Sequence, residues 1–313
     1  MEIYEQQIEV NVTALINELF TRFITNNKKT KNFYQYSAIS SFKGVVENNN
    51  MWATHWAYLN DAKELKGGVD IVKKVFLKME RNKKDLNLKS QYFDILKSFV
   101  SYLSKDDAFD KTDVYILCFT EKKDQLSQWR GYGRGYNSIV VNYNPACLKI
   151  GDHSIGTPLM GKVVYDEKQQ EKIMMVYLFR IYKMIDEIHK RFPKQKKAAE
   201  GVLFGDFMVG ILTLSLFMKE KCWCEEKEWR VILNDGISNT LDFKETNKGF
   251  VPYVKVPIFK KHAITCIKDV RLPKSPDFAL RKKAVEMLWN ISCGKNGIKK
   301  KLIVNQSSIS IVY

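Results

Sequence analysis

Val114-Tyr-Ile-Leu-Cys-Phe119 is an unbroken apolar run of strand length. Successive side chains of a strand point to opposite faces, so such a run is apolar on both and belongs inside a sheet rather than on its surface. Further strand-length segments lie on either side of it. Asn32–Ser37 and Met51–Thr54 precede it, and Asn137–Tyr143, Glu228–Leu233, Val251–Val256, Ile264–Val270 and Lys301–Val304 follow. Helical spacing of apolar residues marks residues 10–24, Ser40–Glu47, two patterns within 68–103, most of 168–220 and Asp277–Asn290. Ser40 is a cap candidate for the short second helix, and Asn48-Asn-Asn50 its stop. Residues 168–220 are expected to break near Pro193 and Gly201. The expectation is an α+β protein, a single domain over 1–313 whose strand-rich body is interrupted by a helical insertion at 168–220.

Composition narrows the class. With 45% hydrophobic residues, 27% charged and only 7 prolines in 313, the chain is globular rather than disordered or collagenous. A formal charge of +16 favours polyanionic partners. Six cysteines are scattered apart from Cys222-Trp-Cys224, which suits reduced thiols and a cytoplasmic location better than a disulfide framework or a zinc site. The segment MEIYEQQIEVNV lacks the basic-then-apolar layout of a secretory signal. Val202–Met218 is barely long enough to span a bilayer and carries Asp206, so it reads as a buried helix and no membrane partner is expected.

Chemistry-bearing motifs are few. Gly131-Tyr-Gly-Arg-Gly135 has the look of a phosphate loop, but a strand follows where a dinucleotide fingerprint needs a helix, and a tight turn into a hairpin fits better. Arg130 and Arg134 beside aromatic rings keep ligand binding open there. Four dispersed histidines, with neither HExxH nor GxSxG, disfavour metalloprotease and α/β-hydrolase chemistry, and no metal site is expected. Asp61 with Glu64 reads as an acidic first turn of a helix. In a strand, Glu226 and Glu228 would project to one face, a repulsive arrangement unless a ligand or cation uses it. The alternative is a solvent-facing strand edge with Arg or Lys partners.

Phe33-Tyr-Gln-Tyr36, Trp52-Ala-Thr54, Leu59-Asn-Asp-Ala-Lys-Glu64, Cys118-Phe-Thr120, Leu126-Ser-Gln-Trp-Arg-Gly-Tyr132 and Glu226-Lys-Glu-Trp-Arg230 follow one another in a fixed order. In that order and spacing the chain resembles an uncharacterised bacterial family, domain of unknown function 2971, most clearly over residues 32–235. Gln35 and Ala62 stand where that family usually has Lys and Pro. The family's layout is in turn similar to ADP-ribosyltransferases, including DarT-type enzymes that modify DNA.

This second resemblance implies a split antiparallel sheet core and NAD as substrate. It places Tyr34-Gln-Tyr-Ser37 on the first strand, Met51–Thr54 on the second and Glu228 at the start of a late strand. Glu228 would stabilise the positive charge developing on the ribose, and Glu226 would activate or orient the acceptor. The NAD site it implies draws on Tyr34, Gln35, Tyr36, Ser37, Trp52, Asn60, Trp129, Arg130 and Arg230, with the tyrosines stacking and an arginine meeting pyrophosphate. The expected function is transfer of ADP-ribose to RNA or DNA by a bacterial toxin or anti-phage effector, with an antitoxin protein as a further partner. The competing readings are a non-catalytic nucleic-acid-binding module, in which Trp129, Tyr132 and Tyr136 stack bases, and a metal-dependent nuclease.

Overall fold

The computed structural model describes residues 3–24, 30–59, 63–105, 107–109, 112–133, 135–149, 158–234, 241–246 and 249–310. Its elements begin with α1 (Ile3–Leu19), β1 (Phe33–Ala38), α2 (Ile39–Asn48), β2 (Met51–His55), α3 (Lys63–Arg81), α4 (Ser90–Tyr102), β3 (Val114–Thr120) and α5 (Leu126–Tyr132). They continue with β4 (Ser138–Tyr143), β5 (Leu159–Lys162), α6 (Glu167–Arg191), α7 (Lys196–Ser215) and β6 (Glu228–Asn234). The last are β7 (Leu241–Thr246), β8 (Gly249–Val256), α8 (Ala263–Cys266), β9 (Ile267–Leu272), α9 (Phe278–Lys295) and β10 (Val304–Gln306). The protein is α+β, with a large, mostly antiparallel sheet.

Where the sequence suggests one domain with one insertion, the chain divides into two compact units, each assembled from three segments. Residues 1–26, 61–113 and 161–225 form one, so 168–220 falls in it together with two other stretches; residues 27–60, 114–160 and 226–313 form the other. The first unit is helical. In α6, Ile173, Tyr177, Ile181, Ile185 and Ile188 repeat at three- and four-residue spacing and are buried, the periodicity that seats one helix face in a core. Asp166 caps α6 by accepting from the Gln169 amide at 2.8 Å. The helix stops before Pro193, as expected, but α7 runs through Gly201 without a break. Gly210 matters for packing: a Cβ there would lie 2.1 Å from the Tyr177 hydroxyl. α7 is the one described helix long and apolar enough to cross a membrane, and half of its apolar window is buried.

The second unit holds the sheet, in the order β10-β9-β4-β1-β3-β2-β8-β7 with β6 also on β3. Every residue of β3 pairs with β6, from Val114↔Asn234 to Thr120↔Glu228. A strand has two edges, so β1 and β2 must share the other one. β2 takes its start (Thr54↔Ile116, His55↔Tyr115) and β1 its end (Tyr34↔Thr120). The sheet therefore splits between β1 and β2, and α2 joins them.

The two sheet faces differ. Phe33, Leu117, Phe119, Trp229 and Val231 join Phe42 and Val46 of α2 and Val285 and Trp289 of α9 in the main core. Tyr34, Tyr36, Trp129 and Val140 form a smaller cluster. On β3 itself, Leu117 and Phe119 enter the main core, and Val114 and Ile116 on the opposite face are also buried, as its continuous apolar sequence requires.

Two local expectations are corrected, while the expected stop of α2 at Asn48–Asn50 holds. Ser40 does not cap α2; Ala38 holds that position, with no side-chain cap bond. Asn49, at φ 56°, closes the helix in the left-handed conformation that Asn tolerates. The segment opening at Ile264 begins as the helical turn α8, capped by His262, and becomes a strand only at Ile267.

Candidate functional site

The Glu226–Arg230 segment is shaped by a backbone reversal. A 3-10 turn spans Lys221–Glu226, Lys227 takes φ 44°, and only then does β6 begin. Glu226 is therefore not a strand residue, contrary to the alternation argument, although both carboxylate residues are buried and line the same cleft. The turn is fixed from β3: the Thr120 hydroxyl donates to the Glu226 carbonyl and accepts from the Lys122 amide at 3.0 Å.

Glu228 does not face solvent. It is 4% exposed, and Arg230, two residues along the same strand face and 1% exposed, binds it in a forked ion pair. The Arg230 Nε donates to Oε1 and its Nη2 to Oε2, both at 2.9 Å. Such a pair fixes the carboxylate plane. Arg230 is thus committed to orienting Glu228 and is absent from the cleft lining, which overturns its expected contact with pyrophosphate.

Sheet register aligns Glu228 with the first strand. Glu228 pairs with Thr120, and Thr120 with Tyr34, placing all three on one face in a row across β6, β3 and β1. Two strand spacings separate the ends, about 10 Å. The row continues through Asn142 to Asp269, whose Oδ2 accepts from the Asn142 amide at 2.7 Å. Burial raises the Tyr34 phenol pKa, the Asp269 charge adds to this and Arg271 opposes it.

The neighbouring aromatic residues are anchored. The Tyr36 hydroxyl accepts from the Gln125 amide at 2.9 Å and donates to the Lys122 carbonyl at 3.1 Å; burial raises its pKa well above the phenol range. Its ring meets Trp129 edge-on, with centroids 5.2 Å apart. Trp129 is fully buried and donates its indole N–H to Asp124 at 2.7 Å, so neither the ligand contact nor the base stacking expected of it is available. Asp124 also accepts from Ser307, and from the amide and hydroxyl of Ser308. Burial alone would raise the Asp124 pKa, but these bonds outweigh it and the net shift is downward.

The glycine-rich segment is not a hairpin turn. α5 runs through Gly131 to Tyr132, and Gly133 follows where a Cβ would lie 2.3 Å from the Trp129 carbonyl. Gly135 takes φ 58°, a left-handed conformation that favours glycine. Arg134 lies outside the described residues.

These parts enclose a cleft of about 780 Å³ within the second unit. That volume is typical of small-molecule sites. The split between β1 and β2 supplies Tyr34–Ala38 on one side and Met51, Trp52 and Thr54 on the other. The first turn of α2 adds Ser40 and Ser41, and the start of β6 adds Glu226 and Glu228. Of the residues singled out from sequence, Tyr34, Gln35, Tyr36, Ser37, Trp52, Arg130, Glu226 and Glu228 converge here, while Trp129 and Arg230 support the cleft from outside its lining. Asn60 and Asp61 lie outside the described residues, as does the Glu64 side chain. Trp52 is held by Tyr253, with ring centroids 4.6 Å apart.

Sequence reasoning missed several polar lining residues: Thr120, Gln128 and Lys244, the last donating to the Thr54 hydroxyl at 2.8 Å. Gln128 and Thr120 were legible only as members of the Ser-Gln-Trp-Arg-Gly-Tyr and Cys-Phe-Thr motifs. Lys244 carries no such signal. Among the described residues, no group of three or more His, Cys, Asp or Glu side chains is gathered as for a metal ion, and Cys222 and Cys224 are exposed and not joined in a disulfide.

Comparison with known proteins adds one finding. No curated protein and no solved structure matches the chain. The family match begins at Gln128 in the cleft-lining face of α5 and ends at Val231, just beyond the Glu228–Arg230 pair. Over residues 128–231 the chain is similar to the family described as Protein of unknown function (DUF2971).

Proposed function

We propose that this protein is an NAD-dependent ADP-ribosyltransferase whose acceptor is a nucleic acid. The observation that carries the reading is the position of Glu228: a buried carboxylate, oriented by Arg230, lining the same cleft as Tyr34 and Tyr36 at the point where the sheet splits. Support also comes from the order of the parts. Strand, helix, strand and late glutamate occur as the resemblance to ADP-ribosyltransferases implies.

The chemistry follows from the charges. As the bond between ribose C1′ and the nicotinamide nitrogen breaks, its electron pair leaves with nicotinamide and positive charge develops on the ribose. A fixed carboxylate beside the ribose hydroxyls stabilises that charge without reorganising at the moment of reaction. The acceptor then attacks C1′ and gives up a proton, for which Glu226 is the nearby base. Arg130, exposed at the cleft lining, is the cation for pyrophosphate, in place of Arg230. The +16 charge suits a polyanionic acceptor.

Incubation of the purified protein with NAD labelled in the adenylate, together with RNA or DNA, tests the reading. Label should move to one nucleic acid as nicotinamide is released. A folded protein that binds nucleic acid and leaves NAD intact points instead to a binding module.

A further inference from the structure

Gln128 is 5% exposed and lines the cleft, yet its side-chain amide makes no hydrogen bond among the described residues. A primary amide carries two N–H donors and a carbonyl with two lone pairs. The amide atoms of Gln128 are not sealed from the cleft, so these donors and lone pairs are open to whatever occupies it. Its neighbours answer how it is held. Trp129, the next residue, is locked by its bond to Asp124 and by the Tyr36 ring, so α5 presents Gln128 from a fixed position on the face that carries Tyr34 and Glu228.

We propose that Gln128 recognises the carboxamide of the nicotinamide ring, an inference that rests on the ADP-ribosyltransferase reading. Two primary amides pair through two parallel hydrogen bonds: each donates one N–H to the other's carbonyl. The match is neutral and planar. A carboxylate in place of the ligand amide offers no donor to the glutamine carbonyl, and a methyl ketone keeps the acceptor but loses the donor. Pairing at the carboxamide would hold the leaving ring in one orientation while Glu228 faces the ribose. Gln128 is thus a specificity-determining residue for the nicotinamide end, and Arg130 serves the charged middle of the ligand.

The test uses the full chain and direct binding. Nicotinamide, nicotinic acid, 3-acetylpyridine and ADP-ribose are titrated separately and followed by intrinsic fluorescence, with NAD turnover measured in parallel. The parent should bind nicotinamide about tenfold or more tightly than either analogue, and Gln128→Leu should bring the three within about twofold. ADP-ribose, which lacks the ring, should bind the variant as it binds the parent. Gln128→Met, of similar length, replaces the leucine variant should that one fail to fold. Discrimination that survives in a folded variant overturns the assignment, as does a variant that loses ADP-ribose while retaining nicotinamide. A parent that turns NAD over without discriminating among the rings removes the role of Gln128 alone. A parent that binds neither nicotinamide nor ADP-ribose removes the functional reading and this inference with it.

Discussion

Glu228 and Arg230 show how one ion pair can serve both fold and site. The two residues are 4% and 1% exposed, so neither charge can be removed singly without stranding the other. Glu228→Gln should abolish NAD turnover and also lower stability by about 3 kcal/mol, the cost of breaking a buried pair from one side. The double variant Glu228→Gln/Arg230→Met should recover most of that stability in urea unfolding yet remain inactive, which separates the chemical role from the structural one. Asp124 offers a pH test. Its folded pKa is depressed by hydrogen bonds from Trp129, Ser307 and Ser308 despite burial, so its contribution is complete above the ordinary carboxylate value and is lost as pH falls through the lower folded value. Stability curves of the parent and Asp124→Asn should therefore differ at neutral pH and converge in acid, below about pH 4.

At the scale of elements, the α5 region decides the shape of the cleft. A Cβ at Gly133 would meet the Trp129 carbonyl at 2.3 Å and the Ser138 hydroxyl at 2.7 Å, whereas at Gly131 nothing lies within 4 Å. Gly133→Ala should lower thermal stability by about 1–3 kcal/mol and weaken ligand binding, because the backbone must move; Gly131→Ala should do neither. The sequence exposes such elements unevenly. β3 and β6 were legible because apolar runs of strand length admit few alternatives, and α6 because its periodicity is regular. β7 was not: Leu-Asp-Phe-Lys-Glu-Thr is exposed or half-exposed throughout, so no buried face imposes a pattern. α5 was hidden by its glycine, which a local reading takes for a turn although the helix runs through it. The cleft lining was legible where a motif marked it, at Tyr34, Tyr36 and Glu228. It was opaque where tertiary packing decided the outcome, as in the burial of Trp129 and the diversion of Arg230 to Glu228.

For the whole molecule, charge and cleft are separate arguments that meet in the choice of acceptor. The +16 charge predicts nucleic-acid binding that weakens steeply with salt, in proportion to the phosphates contacted, whichever acceptor is modified. It predicts nothing about NAD. A chain that transfers ADP-ribose to nucleic acid should slow the growth of cells expressing it, and Glu228→Gln/Arg230→Met at equal abundance should not. The most direct measurement of the central claim is nicotinamide release from NAD by purified parent and by that folded double variant, with nucleic acid present. Release by the parent and none by the variant is the predicted result. Equal release by both, or none from a parent shown to be folded, would contradict the assignment of Glu228.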